Sequence, residues 1–228
     1  MKKTEFVKSI NFTKDNLVMI CFSEQQLYDM IRFGSCEKFY SVINFDTTFD
    51  LGNFYVSYFT YRNLSLFKNC SEQHPIFMGP LMIHLKKDFE TYYYFSEQIR
   101  YHSVILYKDK DFSILNVKLI ITDDDEGLNG ALRKTFANTD FALCCNHIRK
   151  KIIRILSEFE IDDTDQEKIL FLIFGSQNER NRSLIGSKSK KEYIERLDLF
   201  SNYFDSLGGN ENAKSFLDWF LEHKAKNI

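Results

Sequence analysis

The chain has 228 residues, of which 44% are hydrophobic and only 2 are proline. This composition is typical of an ordered globular protein and excludes a disordered one. The formal net charge of −2 excludes a uniformly basic surface for nucleic acid, so any DNA contact must come from a local patch. No apolar run reaches the roughly 20 residues of a membrane span, and no apolar segment of signal-peptide length follows the N-terminus. We therefore expect an intracellular protein that does not enter a membrane.

Residues 1–40 are predicted to be a lead-in segment that contains one strand and one helix. The strand covers residues 16–22. Ser23 is the predicted N-cap of the helix, and Gln26 stands at its third helical position, which matches a capping box. The apolar face of this helix is predicted to consist of Leu27, Met30 and Ile31.

Residues 41–151 are predicted to form an α/β core in which three strands are followed by alternating helices and strands. The Gly79-Pro80 pair in the third strand indicates a bulge or an edge position. Asp88 is the predicted N-cap of the first core helix. The predicted strands cover residues 41–46, 52–66, 76–84, 117–122 and 141–145, and the predicted helices cover 88–101 and 126–136. The order β-β-β-α-β-α-β predicts a mixed sheet with helices packed on it.

Residues 152–228 are predicted to be all helical, as a continuation of a helix that begins near His147. This first helix has an apolar side and a basic side. Its apolar side contains Ile148, Ile152, Ile155 and Leu156, and its basic side contains Arg149, Lys150, Lys151 and Arg154. Further helices are predicted over residues 164–174, 190–207 and 213–226.

Two aspartates end apolar runs, Asp46 as the last residue of the first predicted core strand and Asp123 directly after the fourth. The strand order is that of ribonuclease H-like proteins, in which these two strands lie side by side. Two carboxylates that meet there suit a hard divalent cation. The alternative is that Asp46 only begins a turn and that Asp123 only caps the next helix. Asp124, Asp125 and Glu126 are predicted to be negative charge at the start of that helix.

Cys144 and His147 form a Cys-x-x-His motif that begins near the end of the last predicted core strand. They could be half of a zinc site, but structural zinc takes four ligands, and Cys70 with His74 is only a loose second pair. The alternative is a buried cysteine beside a histidine that braces the site. The odd number of cysteines, 5, predicts reduced thiols. His84, at the end of the third strand, is predicted to be a packed or edge histidine rather than a ligand.

Four segments of the chain resemble, in order, the blocks of the Mutator-like element (MULE) transposase domain. They are FDTTFDLGNFYVSYFTYRN, HPIFMGPLMIH, ITDDDEGLNGAL and LCCNHIRKKI, from about residue 41 to about residue 151. The resemblance implies a ribonuclease H-like core followed by an all-helical insertion. It also implies DNA cleavage and strand transfer with two Mg²⁺ or Mn²⁺ ions. Asp46 and Asp123 match the first two catalytic aspartates, and Cys144 and His147 match the C-x-x-H of the family.

The resemblance further implies a nuclear protein that acts on transposon ends and target DNA. It is also compatible with a homo-oligomer. The basic face formed by Arg149, Lys150, Lys151 and Arg154 could then contact DNA phosphates, or it could be a solvated helix face.

The sequence departs from the family at the third catalytic carboxylate, a glutamate that follows the helical insertion. None of Glu179, Glu195, Glu211 and Glu222 stands in a matching sequence context. The core is therefore predicted to be truncated at its C-terminus. The alternative function is a catalytically inactive, transposon-derived module that binds DNA or another protein.

Overall fold

The computed structural model describes residues 5–69, 71–107, 114–176, 179, 182–207 and 211–225, without the side chains of 49–51 and 115. It divides into two compact units, with the boundary between Cys144 and Cys145. We call residues up to 144 the sheet unit and residues from 145 the helical unit. Within the described residues, no helix is long and apolar enough to cross a membrane.

The sheet unit contains one mixed sheet of 7 strands within the described residues. The strands are β1 (Val7–Phe12), β2 (Leu17–Cys21), β3 (Ile43–Leu51), β4 (Phe54–Arg62), β5 (Ile76–His84), β6 (Leu119–Thr122) and β7 (Asp140–Leu143). Their order across the sheet is β1-β2-β5-β4-β3-β6-β7. The pairs from β1 to β3 are antiparallel, and β6 is parallel to both β3 and β7. The predicted α/β class and the predicted neighbours β3 and β6 are therefore confirmed.

The hairpin of β3 and β4 is the centre of the sheet, and it turns at Gly52, whose φ is +67°. A positive φ is easily adopted by glycine, which has no Cβ to clash. The predicted irregularity at Gly79-Pro80 is also present. The pairing of β4 with β5 shifts register between Tyr58 and Thr60, opposite these two residues. β5 is not an edge strand, because β2 pairs with its second half.

Three helices of the sheet unit are described: α1 (Glu24–Gly34), α2 (Phe89–Leu106) and α3 (Glu126–Thr135). The predicted capping box of α1 is confirmed, because Ser23 accepts from the N–H of Gln26 and Gln26 accepts from the N–H of Ser23. The predicted N-cap of α2, Asp88, is confirmed too. α1 packs against β4, β5 and α2, and α2 packs against α3. A short 3₁₀ turn at Ile114–Asn116 precedes β6.

The main core lies between these helices and one face of the sheet. At its centre, the ring of Phe45 on β3 contacts Phe59 on β4 with centroids 4.8 Å apart, and both rings contact Phe95 on α2. Leu27, Met30 and Ile31 of α1 are buried, as predicted. Because side chains alternate along a strand, every second residue of β3 and β4 points into this core. The residues between them face the other side of the sheet.

The helical unit contains α4 (Cys145–Glu158), α5 (Asp163–Phe174), α6 (Lys190–Ser206) and α7 (Glu211–His223), with a 3₁₀ turn at Leu184–Gly186. The apolar side predicted for α4 is confirmed, because Ile148, Ile152 and Leu156 are buried. Phe200 and Phe204 of α6 pack against Phe216 and Phe220 of α7. The helical character predicted for this part of the chain is therefore confirmed over its described residues.

Candidate functional site

Asp46 lies inside β3 and does not end the strand, which corrects the sequence-based prediction of a strand over residues 41–46. The strand continues because Thr47 pairs with Ser57 and Thr48 pairs with Val56 on β4. Threonine is β-branched and favours extended backbone, whereas the aspartate alone was taken as a turn signal. The turn comes only at Gly52, so the interpretation of Asp46 as the first residue of a turn is wrong.

The register between β3 and β6 aligns the two predicted aspartates. Ile43 pairs with Ile120, and Asn44 pairs with Ile121, in parallel. Two residues beyond Asn44 is Asp46, and two residues beyond Ile121 is Asp123. Residues that share a register position on neighbouring parallel strands project to the same side of the sheet. Asp123 directly follows the last residue of β6, so Asp46 and Asp123 stand at equivalent positions, each two residues beyond the last pair of this ladder.

These two positions lie on the face of the sheet away from the main core. Along β3, Ile43 and Phe45 are buried, whereas Asn44 and Asp46 are half-buried. The same alternation holds at the end of β6, where Thr122 is buried and Asp123 is half-buried. Both carboxylates are therefore accessible enough to reach a ligand from solvent.

Asp123 is not the cap of α3, which excludes the second simple interpretation of this residue. The N-cap is Asp125, whose Oδ1 accepts a hydrogen bond of 2.8 Å from the backbone N–H of Leu128. Asp125 also lies 3.8 Å from the Nζ of Lys87. Oδ1 of Asp123 instead accepts a hydrogen bond of 2.6 Å from the N–H of Asp124, the next residue. The prediction of helix-start charge thus holds for Asp125, which is the cap, and for Glu126 in the first turn of α3.

Asn129 of α3 fixes the backbone that carries Asp123, and the sequence analysis missed this residue. Its Oδ1 accepts a hydrogen bond from the hydroxyl of Thr122, and its Nδ2 donates to the carbonyl oxygen of Asp123 at 2.8 Å. The amide therefore joins two consecutive residues at the end of β6 to the helix that follows. An asparagine one turn into a helix that starts directly after a short strand is the sequence signal that could have indicated it.

A second polar group missed by the sequence analysis lies beside Asp46, on the core side of the sheet. Oγ1 of Thr47 is 2.8 Å from Oγ of Ser57, which is 2.8 Å from Nε2 of His84. Nδ1 of His84 is 2.7 Å from the carbonyl oxygen of Lys86. Burial lowers the pKa of His84, which favours the neutral ring. His84 is fully buried at the end of β5, as predicted for a packed histidine.

Tyr92 of α2 completes this buried polar group. Its ring contacts His84 and Phe45, with centroid distances of 5.7 and 6.0 Å. Its hydroxyl is buried, and no partner among the described residues meets the hydrogen-bond geometry. Burial is the main cause of its raised pKa; the nearby hydroxyls of Thr47 and Ser57 lower the pKa, and the negative charges of Asp125 and Asp123 raise it further. The acidic end of β6 is thus close enough to act electrostatically on this hydroxyl.

The Cys-x-x-His motif spans the boundary between the two units. Cys144 is the last residue of the sheet unit, and its N–H donates a hydrogen bond of 2.7 Å to the carbonyl oxygen of Thr122. His147 stands in the first turn of α4, in the helical unit. Cys70 lies outside the described residues, and His74 is 2.7 Å from the carbonyl oxygen of Leu66 through its Nδ1. The zinc half-site stays a prediction.

The predicted basic face of α4 is largely exposed. Arg149, Lys150 and Arg154 are exposed, and Lys151 is half-buried. The guanidinium of Arg149 lies over the ring of Phe174 at 5.7 Å, and Arg154 lies 3.5 Å from a carboxylate oxygen of Glu158. The charges of this surface are accessible from solvent, and their contact with DNA phosphates stays a prediction.

The two aspartates offer a hard divalent ion two oxygen donors, which is a fitting but incomplete set. Among the described side chains, no group of three or more His, Cys, Asp or Glu is placed to hold a metal ion. Of the glutamates considered as a third ligand, Glu195 lies in α6, Glu211 and Glu222 lie in α7, and Glu179 precedes the 3₁₀ turn of the helical unit. Asp46 and Asp123 therefore remain a predicted metal-binding pair.

Comparisons with known proteins do not assign this chain to a family. No protein-family model matches the chain, and a search of curated proteins finds no match.

Proposed function

We propose that the chain is the catalytic domain of a Mutator-like element transposase, or a fragment of one, with a ribonuclease H-like sheet. In this proposal Asp46 and Asp123 hold divalent metal ions at which DNA is cleaved and joined. The observation that carries it is the parallel register of β3 and β6, which aligns the two aspartates. The resemblance of the sequence blocks singled out the same two residues independently of this register.

The strand arrangement supports the ribonuclease H-like part of the proposal. Strands β5-β4-β3-β6-β7 have two antiparallel pairs followed by two parallel pairs, with α2 and α3 in the connections after β5 and β6. This is the order that the resemblance implies for the core. In this proposal β1 and β2 are additions to it at the outer side of β5.

In this proposal the residues must bind Mg²⁺ or Mn²⁺ and must bring DNA to the bound ion. A bound ion polarises a phosphate oxygen and makes a coordinated water more acidic. Asp46 and Asp123 supply charge and oxygen ligands from one side of the sheet. Asn129 restrains the backbone of Asp123 and thereby the position of its carboxylate. Separately, the exposed positive charge on the basic face of α4 suits DNA phosphates.

The proposal is tested by nicking of supercoiled DNA in the presence of Mn²⁺. We expect activity from the wild-type chain and its loss in Asp46→Asn and Asp123→Asn, which keep the shape of the side chain but remove its charge. Asp140→Asn is the matched control, because Asp140 is an exposed aspartate at the start of β7, where it pairs with Leu119, the first residue of β6. Equal activity in all four proteins would exclude these carboxylates from the reaction.

A parallel titration of the protein with Mn²⁺ separates the enzyme from its inactive alternative. If the wild-type chain and Asp46→Asn bind Mn²⁺ equally and neither nicks DNA, the chain is better described as a transposon-derived binding module. If the wild-type chain binds Mn²⁺ more tightly than both variants, the metal site is supported whether or not the isolated chain is active.

A further inference from the structure

Three polar side chains form a row across the core side of the sheet, from β3 through β4 to β5. They are Thr47, Ser57 and His84, linked by two contacts of 2.8 Å. We propose that this row is a positioning network that holds the segment of β3 bearing Asp46 in the geometry needed for ion binding. The inference rests on the metal-binding role proposed for Asp46.

The direction of every hydrogen bond in the row follows from the last one. The carbonyl oxygen of Lys86 can only accept, so Nδ1 of His84 donates to it over 2.7 Å. A neutral ring then has an acceptor at Nε2, and the hydroxyl of Ser57 donates to it. The oxygen of Ser57 is left to accept from the hydroxyl of Thr47. Ser57 and His84 thus each have one defined partner on either side, and Thr47 ends the row.

The row restrains Asp46 through Thr47, its neighbour in the strand. The N–H of Thr47 donates a hydrogen bond of 2.9 Å to Oδ1 of Asp46. The side chain of Thr47 points into the core while that of Asp46 points to the other face, because successive residues alternate. The hydrogen bond to Ser57 on the core side of the sheet restrains the side chain of Thr47. It thereby restrains the backbone N–H of Thr47, which binds the Asp46 carboxylate on the opposite side.

The strand needs this support at the place where its backbone pairing becomes irregular. The ladder between β3 and β4 is regular from Asn44 to Thr48 and then shifts register before Leu51. Thr47 is thus next to the last regular pair. A side-chain link from Thr47 to Ser57, and from there to β5, joins three strands at that end of the sheet.

Because Ser57 and His84 make their hydrogen bonds away from solvent, loss of any hydrogen bond in the row would cost free energy. This cost favours a single geometry for the three side chains. Ser57 and His84 have no exposed surface. A buried polar group that loses its partner keeps the full cost of its desolvation. Ser57 bonds on both sides, so removal of its hydroxyl leaves both Thr47 and His84 without the partner they have in the row.

The test compares two substitutions that remove the same kind of buried hydroxyl. Ser57→Ala breaks the row, whereas Ser96→Ala breaks a bond of 2.8 Å between Ser96 of α2 and Thr135 of α3, which belongs to the helix layer. We expect Ser57→Ala to weaken Mn²⁺ binding by about tenfold, as for residues that orient metal ligands. We expect Ser96→Ala to leave Mn²⁺ binding unchanged. His84→Gln, which keeps a polar side chain at this position, should lie between the wild-type chain and Ser57→Ala.

Amide hydrogen exchange of residues 43–48 gives a second measurement that needs no metal. Ser57→Ala should speed exchange in this segment, and Ser96→Ala should not. If the wild-type chain binds Mn²⁺ more tightly than Asp46→Asn but Ser57→Ala changes neither binding nor exchange, the positioning network is refuted and the metal site stands. If Asp46→Asn binds as the wild-type chain does, the metal site fails, and the ion-holding role of the row fails with it.

Discussion

The side chain of Asp125 accepts a hydrogen bond from the backbone N–H of Leu128 and so caps α3, two residues after Asp123. The two acidic residues therefore have separate tasks, although they stand almost side by side in the sequence. Asp125 stabilises a helix, whereas Asp123 follows the end of β6 and is one of the two proposed metal ligands. This separation leads to opposite expectations for their substitution.

Asp125→Ala should destabilise the protein, because it removes an N-cap. The expected loss is about 1 kcal/mol, or about 2–4 °C in Tm for a chain of this size. Asp123→Asn keeps an oxygen that can accept a hydrogen bond from the N–H of Asp124. The free energy of unfolding should therefore change by no more than about 0.5 kcal/mol. Thermal melting followed by circular dichroism measures both. A larger loss for Asp123→Asn than for Asp125→Ala would mean that Asp123 has a structural role.

Asn129→Ala should impair metal-dependent DNA nicking more than stability alone explains. The substitution releases the hydroxyl of Thr122 and the carbonyl oxygen of Asp123 from α3. Residues that orient a metal ligand in this way typically contribute a factor of about 10–100 to activity or metal affinity. The control is Asn138→Ala, because Asn138 is exposed after the end of α3. Equal nicking by the two variants would remove Asn129 from the site.

Tyr92→Phe should raise the free energy of unfolding or leave it unchanged. The hydroxyl of Tyr92 is buried without a partner of hydrogen-bond geometry in the described part of the chain, and such a group costs about 1–3 kcal/mol. Tyr107→Phe is the matched control, because its hydroxyl donates a hydrogen bond of 2.7 Å to the carbonyl oxygen of Tyr28. We expect Tyr107→Phe to lower the Tm. A comparable fall for Tyr92→Phe would show that its hydroxyl is satisfied.

The stability of the sheet unit should fall as the pH is lowered below about 6.5. Burial lowers the pKa of His84 and of His102 from their ordinary value of 6.5, and the nearby positive charges of Lys87 and Lys8, respectively, act in the same direction. Asp88 and Glu24 oppose this shift without cancelling it. The unfolded chain therefore binds more protons than the folded chain below 6.5, and the free energy of unfolding decreases there.

The measurement is the Tm as a function of pH, between about 5 and 8, for the wild-type chain and for His84→Gln and His102→Gln. Each substitution should remove part of the pH dependence, because one titrating group contributes up to about 1.4 kcal/mol per pH unit. Stability that is constant down to pH 5 would show that neither ring resists protonation.

Lys150→Gln should weaken DNA binding and reduce its dependence on salt. One phosphate contact contributes a slope of about 0.9 to the plot of log affinity against log salt concentration. Lys150 is exposed on the basic face of α4, and Lys168, exposed on α5, provides the control position. Fluorescence anisotropy with a labelled duplex measures the slope. An equal slope for the wild-type chain, Lys150→Gln and Lys168→Gln would show that the basic face is only solvated.

Local features of the fold could be predicted from the sequence where a few neighbouring residues determine them. Ser23 and Gln26 form a capping box from positions three residues apart, and the bounds predicted for β5 agree with the structure. β1 was missed because VKSINF is too polar to show a buried face, and only pairing with β2 makes it a strand. The end of β3 was placed too early because Asp46 by itself is a turn signal, and its pairing partners on β4 are distant in sequence.

The candidate site shows the same division. Asp46 and Asp123 could be singled out because each follows an apolar run that the sequence displays. Ser57, His84 and Asn129 could not be joined to them, because their hydrogen bonds depend on strand register and on where α3 begins. Such contacts are set by tertiary structure, which a single sequence does not reveal through periodicity.

The pairing of β3 with β6 has a consequence for the stage of folding at which the proposed metal site would form. These neighbours are separated in the chain by β4, β5 and α2, so their contact closes a long loop and forms slowly compared with the hairpins. The two aspartates come together only after that closure. If Asp46 and Asp123 hold an ion as proposed, a nascent or partly folded chain would lack that ion site, and the proposed DNA cleavage would begin only once the central strands are complete.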